Sequence, residues 1–454
     1  MAFLQSVVFF VVAIGVLVTA HEFGHFWVAR RLGVKVLRFS IGFGHAWLVW
    51  HRRGDETEYA LGAIPLGGYV KMLDESEGEV APEERARAFN RQSLGIRSAV
   101  VVAGPLFNFV FAVLAFWLMF MIGVSGLRAT VGGVTPDSPA ARAGILAGDQ
   151  VVAAAGRRTP TWDDVVQVLV AKVMDGGVVT LVLRDASGGR REVALKLGGL
   201  TLDDMTEGRV FSAIGVRPGP PLAPIIDSVV PGSPAQASGM RAGDRVLAAD
   251  GRSIADWPAW VAYVRARPGI TIATRVERDG KRLVLSLTPE RVVDESGAHG
   301  RIGASVRRPS AESLKALAVT VRYGPLDAFG HALRQTADAT TLTLRFLWKM
   351  VRGQASIKNL SGPISIAQYA GISAQGGLAR FLWFLAIVSV SLGILNLLPI
   401  PLLDGGHLLY YAAELVRGRP LSEHTRLIGQ RLGIAFLVGL MGLAFYNDLA
   451  RLFG

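Results

Sequence analysis

A run without a single charge, Met1 to Ala20, ends in His21-Glu22-Phe23-Gly24-His25. Such a run is long enough to cross a bilayer as a helix. On a helix, two imidazoles four residues apart share one face, about one turn apart. A glutamate directly after the first completes a known pattern: two ligands hold a metal ion, and a carboxylate takes a proton from water. Ionisable groups at membrane depth are costly, so three together there mark a functional site. The competing reading is a chance match at a helix end.

Three more apolar runs follow. Ser98 to Leu127 carries no charge, Phe381 to Leu403 lies between Arg380 and Asp404, and Leu432 to Asn447 lies between Arg431 and Asp448. The sequence therefore predicts four spans, the last one short unless Arg431 snorkels. The first run lacks a basic leader, and cleavage near Ala20 would orphan the His-Glu pair, so it is expected to be retained. Composition agrees with spans joined to soluble domains: 51% hydrophobic and 19% charged, with mean hydropathy +0.38.

Net charge is +12. Loops beside an anionic membrane collect Lys and Arg, and no basic run interleaved with aromatics favours nucleic acid. Zero cysteines exclude a disulfide framework, a thiolate metal site and a Cys nucleophile. Basic residues crowd 30–97 and recur at Arg417, Arg419, Arg426 and Arg431, which predicts that these loops lie inside. Both termini and the long 128–380 region are then expected outside.

That region holds an internal repeat. Ser138-Pro139-Ala140, Gly144 and Gly148-Asp149 recur as Ser233-Pro234-Ala235, Gly239 and Gly243-Asp244. Each copy predicts a short helix, then a Gly-Asp turn into a strand. Two copies make tandem domains rather than a solenoid. The pattern resembles PDZ domains, which implies binding of peptides by strand addition; the alternative is that the two domains are spacers or size filters. From Pro309 to Gly353, Leu342, Phe346 and Met350 share a face, predicting a helix at the membrane surface or against the tandem domains. Glycine-punctuated apolar stretches at 39–50 and 58–70 predict hairpins. They either enter the membrane interface or form a small inner sheet.

Two histidines need a third protein ligand and an open position. Asp404, in Asn396-Leu397-Leu398-Pro399-Ile400-Pro401-Leu402-Leu403-Asp404-Gly405-Gly406-His407, is the best candidate. Prolines and glycines break the third span there, at its inner end. The His-Glu site also falls at the inner end of its span, so the half-sites should meet at one depth. His407 is a rival, expected nearer the aqueous side.

With these motifs in this order, the chain resembles the intramembrane site-2 metalloproteases, in the bacterial regulator-of-sigma-E protease branch. Gly104-Pro105-Leu106-Phe107-Asn108, the tandem repeat (which resembles PDZ domains) and Ser361-Gly362-Pro363-Ile364 extend the resemblance over nearly the whole chain. It implies a polytopic α-helical membrane protein with four transmembrane helices, a membrane re-entrant β-hairpin and two extracytoplasmic PDZ domains. The expected boundaries are a first span at 1–29, a re-entrant region at 30–97 and a second span at 98–125. PDZ domains follow at 126–215 and 216–306, then an amphipathic region at 307–379. A third span at 380–404, an inner loop at 405–430 and a fourth span with tail at 431–454 complete the chain.

The resemblance implies Zn2+ held by His21, His25 and Asp404, Glu22 as base, and substrate contacts at Asn396, Gly42, Phe43 and Gly44. It implies an inner-membrane endopeptidase for single-span proteins, of the trimmed anti-sigma factor or remnant signal peptide type. Gly104 and Asn108 fit either that family motif or plain close packing of helices. The alternative is a membrane-anchored PDZ adaptor with a vestigial metal site. A transporter with broken helices is weakened by the lack of any repeat among the four spans.

Overall fold

A computed structural model describes residues 2–453 except 77, 174–176, 201–208, 295–296, 308–311, 313–315 and 354–361. It divides into two compact units, Met1–Val124 with Val321–Gly454, and Ser125–Thr320.

The first unit carries helices α1 (Ala2–Arg31), α2 (Leu94–Ile122), α3 (Pro325–Val351), α4 (Pro363–Gln375), α5 (Leu378–Leu397), α6 (Asp404–Arg417) and α7 (Glu423–Phe453), with strands β1 (Val36–His51) and β2 (Glu58–Met72). Among the described residues, four helices are long and apolar enough to cross a membrane: Leu4–Arg31, Leu94–Ile122, Leu378–Leu397 and Glu423–Leu452. At 1.5 Å per residue, even the 20-residue third one rises ~30 Å, the thickness of a hydrocarbon core.

Small residues set the packing. Without a hydrophobic drive between helices in lipid, close backbone approach is what holds them. Ala112, Ala115 and Phe116 of α2 join Ala332 and Ala339 of α3 and Ala386 and Val390 of α5 in one buried cluster. A Cβ on Gly24 of α1 would lie 2.4 Å from the Ala103 carbonyl oxygen of α2.

The third span, expected at 380–404, ends at Leu397 and leaves Asp404 to α6, and further boundaries differ from the sequence reading. First, α3 starts at Pro325, a proline in its first turn, and buries Ala328, Ala332, Thr336 and Ala339. Its small residues go inward, while Leu342, Phe346 and Met350 stay half-buried. Second, the expected inner loop at 405–430 contains helix α6, which ends at Gly418 in the left-handed conformation (φ +66°). Third, α7 begins at Glu423, well before the apolar run.

Asp448 lies 1% exposed near the end of α7. Its carboxylate accepts from the backbone N–H groups of Gly362 (3.0 Å), Ile364 (2.9 Å) and Ser365 (3.1 Å), and from Ser365 Oγ (2.5 Å). Those are the free donors at the start of α4, so one helix caps another. This accounts for Gly362-Pro363-Ile364; Ser361 lies outside the described residues.

The hairpin folds back on itself. Residues 38–41 face 68–71 on one side and 58–61 on the other, and 58–61 also faces 48–51. Two bent strands thus give four sheet segments, with 68–72 at one margin. In the turn between β1 and β2, Asp55 meets Arg30 (2.6 Å) and Tyr59 (2.8 Å). Burial alone would raise its pKa. Hydrogen bonds from the Thr57 N–H, Arg30 and Tyr59 prevail and hold it at about 2.

The second unit contains two similar halves. Four-stranded sheets run in the order 157–158, 150–154, 178–184, 190–196 and 252–253, 245–249, 272–278, 281–287. Each half has its own apolar core, around Trp162 and Leu169 in one and Trp260 and Ile272 in the other. The repeated motifs occupy matching places. Ser138 and Ser233 cap short helices that start with proline. Gly148 and Gly243 both take positive φ (+93° and +91°) at the turn. The buried aspartates that follow pair with Arg191 (2.5 Å) and Arg278 (2.6 Å). The arginine comes from the fourth strand in one half and the third in the other.

Candidate metal centre and active site

α1 brings His21 and His25 to one face, with ring centroids 4.8 Å apart and edge-to-face. Their Nε2 atoms are 3.2 Å apart. Asp404, the first residue of α6, closes the set: Oδ2 is 3.2 Å from His21 Nε2 and Oδ1 is 3.5 Å from His25 Nε2. A carboxylate suits a helix N-terminus. All three groups offer a ligand atom within 4.8 Å of one another, and His407 is not among them.

The residues fit a tetrahedral metal. Donor atoms each ~2.1 Å from one centre at tetrahedral angles stand ~3.4 Å apart, close to the spacings above. The His25 Nδ1 lies 2.8 Å from the Val100 carbonyl oxygen. An oxygen can only accept, so Nδ1 carries the proton and Nε2 turns a lone pair toward the other donors. Asp404 Oδ2 is buried and makes no hydrogen bond of proper geometry. Lone pairs facing one another with an unsatisfied carboxylate oxygen describe a cation site.

The loop between α5 and α6 aims Asp404. Pro399 and Pro401 end the span, and Leu402 takes φ +90°, a strained value for leucine. A Cβ on Gly405 would lie 2.1 Å from the Leu398 carbonyl oxygen, and one on Gly406 2.5 Å from that of Ile400. Only glycine lets the loop fold this tightly over the start of α6.

Glu22 does not join the donor set. It lies against β2, its Cγ 3.2 Å from where a Gly68 Cβ would be. Asn396 of α5 reaches the site, with Nδ2 3.5 Å from His21 Nδ1. Gly42, Phe43 and Gly44 make their close contacts within the hairpin. Gly42 packs on the backbones of Gly62 and Ile64, and the Phe43 ring stacks on Tyr69 at 6.3 Å. The hairpin residue packed against Glu22 is Gly68.

Gly104 is one of the two residues, with Asn108, that the sequence left ambiguous. A Cβ there would sit 2.3 Å from His25 Nε2 and 2.7 Å from His21 Cε1. Its absence lets both imidazoles lie against α2. If the three groups hold a metal ion, Gly104→Leu should weaken its binding at least ~10-fold by displacing the imidazoles. Gly15→Ala, on the histidines' own helix α1, has nothing within 4 Å of its new methyl, and should leave affinity unchanged. Titration of both purified variants against a zinc chelator checks this pair.

Residues 9–440 match peptidase family M50. The chain is 45% identical over 456 residues to the regulator of sigma-E protease RseP of Escherichia coli (strain K12), covering all of both chains. It is 44% identical over 456 residues to protease RseP of Yersinia pestis, again with full coverage of both. A putative zinc metalloprotease of Vibrio cholerae is 42% identical over 457 residues, 99% of each chain. Among solved structures, a PDZ domain of an SdrC-like protein from Listeria monocytogenes aligns with 18% of this chain and 84% of that one. The identity is 23% and the TM-score 0.16, an overlap too slight to define a fold. Full-length identity at this level, with the family match, settles descent: the chain belongs to peptidase family M50, the site-2 proteases, beside the regulator of sigma-E proteases.

Proposed function

We propose that this peptidase holds zinc with His21, His25 and Asp404 and cuts single-span membrane proteins within their apolar segment, with Glu22 as the base. The observation that carries this is the convergence of three metal-ligating groups within 4.8 Å where the uncharged run of a membrane-length helix ends. When bound, zinc supplies Lewis acidity that polarises the scissile carbonyl and lowers the pKa of water. Glu22 takes the proton as the water oxygen bonds to the carbonyl carbon. It then returns that proton to the leaving nitrogen as the C–N bond breaks. Asn396 donates its amide N–H to the carbonyl oxygen, where negative charge develops.

A transmembrane substrate arrives as a helix, its carbonyls engaged and crowded. It must unwind, and its freed backbone groups then need partners in an apolar setting. Segment 68–72 has no strand pairing besides 36–41 among the described residues. It lies next to Glu22 and can accept an added strand. Gly42, Phe43 and Gly44 act through this segment, with Phe43 stacked on Tyr69. In this reading the hairpin is re-entrant: Phe43, Trp47, Leu48 and Trp50 are exposed and fit an apolar surrounding.

By the distribution of Lys and Arg, the hairpin and α6 face the inner side of a bacterial inner membrane and residues 125–320 the outer side. The two halves of that unit serve as PDZ domains. They control access, by excluding bulky ectodomains in preference to capturing a trimmed C-terminus. The substrate class is a trimmed anti-sigma factor or a remnant signal peptide, and the vestigial-site adaptor is disfavoured by the intact donor set.

The test uses reporter substrates that differ only in their span. A glycine costs a helix ~1 kcal/mol relative to alanine. One or two glycines at the cut should therefore speed cleavage ~5- to 30-fold if unwinding comes first, and a poly-Leu span should resist. Equal rates for the two spans, or cleavage confined to residues outside them, would sink the reading.

A further inference from the structure

α2 offers three positions, four residues apart, to the histidines. Val100 gives a carbonyl oxygen to His25 Nδ1, Gly104 gives space, and Asn108 gives an amide to His21 Nδ1. Asn108 is 0% exposed, deep in an otherwise apolar helix. Such a side chain is costly unless it is hydrogen-bonded.

Its geometry is informative. Asn108 Nδ2 lies 3.2 Å from His21 Nδ1, while Asn108 Oδ1 is buried with no partner. The Asn396 Nδ2 lies 3.5 Å from the same ring nitrogen. Two amide NH2 groups thus face one imidazole nitrogen. That nitrogen carries either one proton or one lone pair. His21 Nε2 faces Asp404 and His25 Nε2, so a metal there requires the lone pair on Nε2 and the proton on Nδ1. A proton on Nδ1 needs an acceptor, and an amide nitrogen is not one. The two ends of an asparagine amide exchange by a half-turn of the terminal torsion, and only the hydrogen-bond network decides between them. The half-turn brings Oδ1 to His21 Nδ1. It gives the orphaned oxygen its partner and the ring proton its acceptor in one move.

We infer that Asn108 is the positioning residue for His21: it accepts from Nδ1–H, fixes the ligating tautomer and orients the ring. The pattern matches His25, where the Val100 carbonyl does the same task from the backbone. α5 completes the arrangement. Ser389 Oγ donates to the Asn108 backbone carbonyl at 2.8 Å, tying Asn108 across two helices. Asn396 stands two turns along α5. One Nδ1–H serves one acceptor, so with Asn108 in that role Asn396 keeps its amide for the substrate carbonyl. The two asparagines beside one histidine therefore have different tasks, one on the metal ligand and one on the substrate.

This inference rests on the zinc reading, and the experiment separates the two. Zinc affinity of the full-length protein in detergent is measured by chelator competition for wild type, Asn108→Leu, Asn108→Asp and Asn396→Ala. Leu keeps the size and removes the acceptor, whereas Asp keeps an oxygen acceptor in the same place. Loss of such a partner typically weakens metal binding ~10- to 100-fold. That loss is expected for Asn108→Leu, with Asn108→Asp retaining wild-type affinity or exceeding it. Asn396→Ala should bind zinc as wild type does and lose turnover. Rescue by Asp distinguishes an acceptor from a packing residue, and heat unfolding without metal controls for folding of the Leu variant. Unchanged affinity in Asn108→Leu overturns the inference alone. Equal loss in the Leu and Asp variants also overturns it, because the amide would then matter only for packing. A wild-type protein that binds no zinc overturns the metal reading and this inference with it.

Discussion

Glu22→Gln should retain its zinc and cut no substrate. The side chain lies between the two histidines in sequence but outside the cluster of metal-ligating groups, against Gly68 of β2. Removing it takes no donor from the metal. Gln has nearly the same shape and cannot accept a proton from water or return one to the leaving nitrogen. A positioned base is typically worth ~10²- to 10⁴-fold, and here the same group acts twice. Cleavage of a single-span reporter should therefore fall by at least that factor, with zinc content unchanged. Turnover within about tenfold of wild type would move the base elsewhere. Loss of zinc would make Glu22 a ligand instead.

The parts of this molecule that were legible in sequence are those governed by local periodicity or by the solvent. Uncharged runs give spans because a bilayer tolerates little else. The closeness of His21 and His25 could be read because helical spacing alone puts them on one face. Asp404 could be read because prolines and glycines break a span beside it. The repeated Ser-Pro and Gly-Asp motifs mark caps and turns, whose chemistry is local.

What stayed hidden depends on which helix lies against which. Gly104 and Asn108 are a small and a polar residue in an apolar run, and plain helix packing uses the same residues. Only the position of α1 against α2 shows that a Cβ at 104 would strike His25. Asp448 read as the boundary of a span, yet it turns inward to cap α4. The amphipathic pattern in α3 pointed to its large residues, while the contact with α2 chose the alanines. In the hairpin, the glycines at 42 and 44 drew attention to the first strand. The refolding of both strands instead sets 68–71 along 38–41, with Gly68 beside Glu22. A buried asparagine in a span was the one available signal for Asn108, since a polar group at that depth requires a partner.

The central claim is that His21, His25 and Asp404 form one zinc site across two distant helices. Asp404 is the member furthest away in sequence, and its carboxylate spans both histidines at 3.2 and 3.5 Å. Without it, two imidazoles remain, one fewer than the three protein ligands of a catalytic zinc centre. The decisive measurement is the zinc content of purified full-length wild type and Asp404→Ala, with cleavage of one reporter recorded on the same samples. The account predicts about one zinc per chain in wild type, little in the variant, and no cleavage by the variant. Full zinc and full cleavage in Asp404→Ala would contradict it, placing the third ligand elsewhere with His407 the next residue to test.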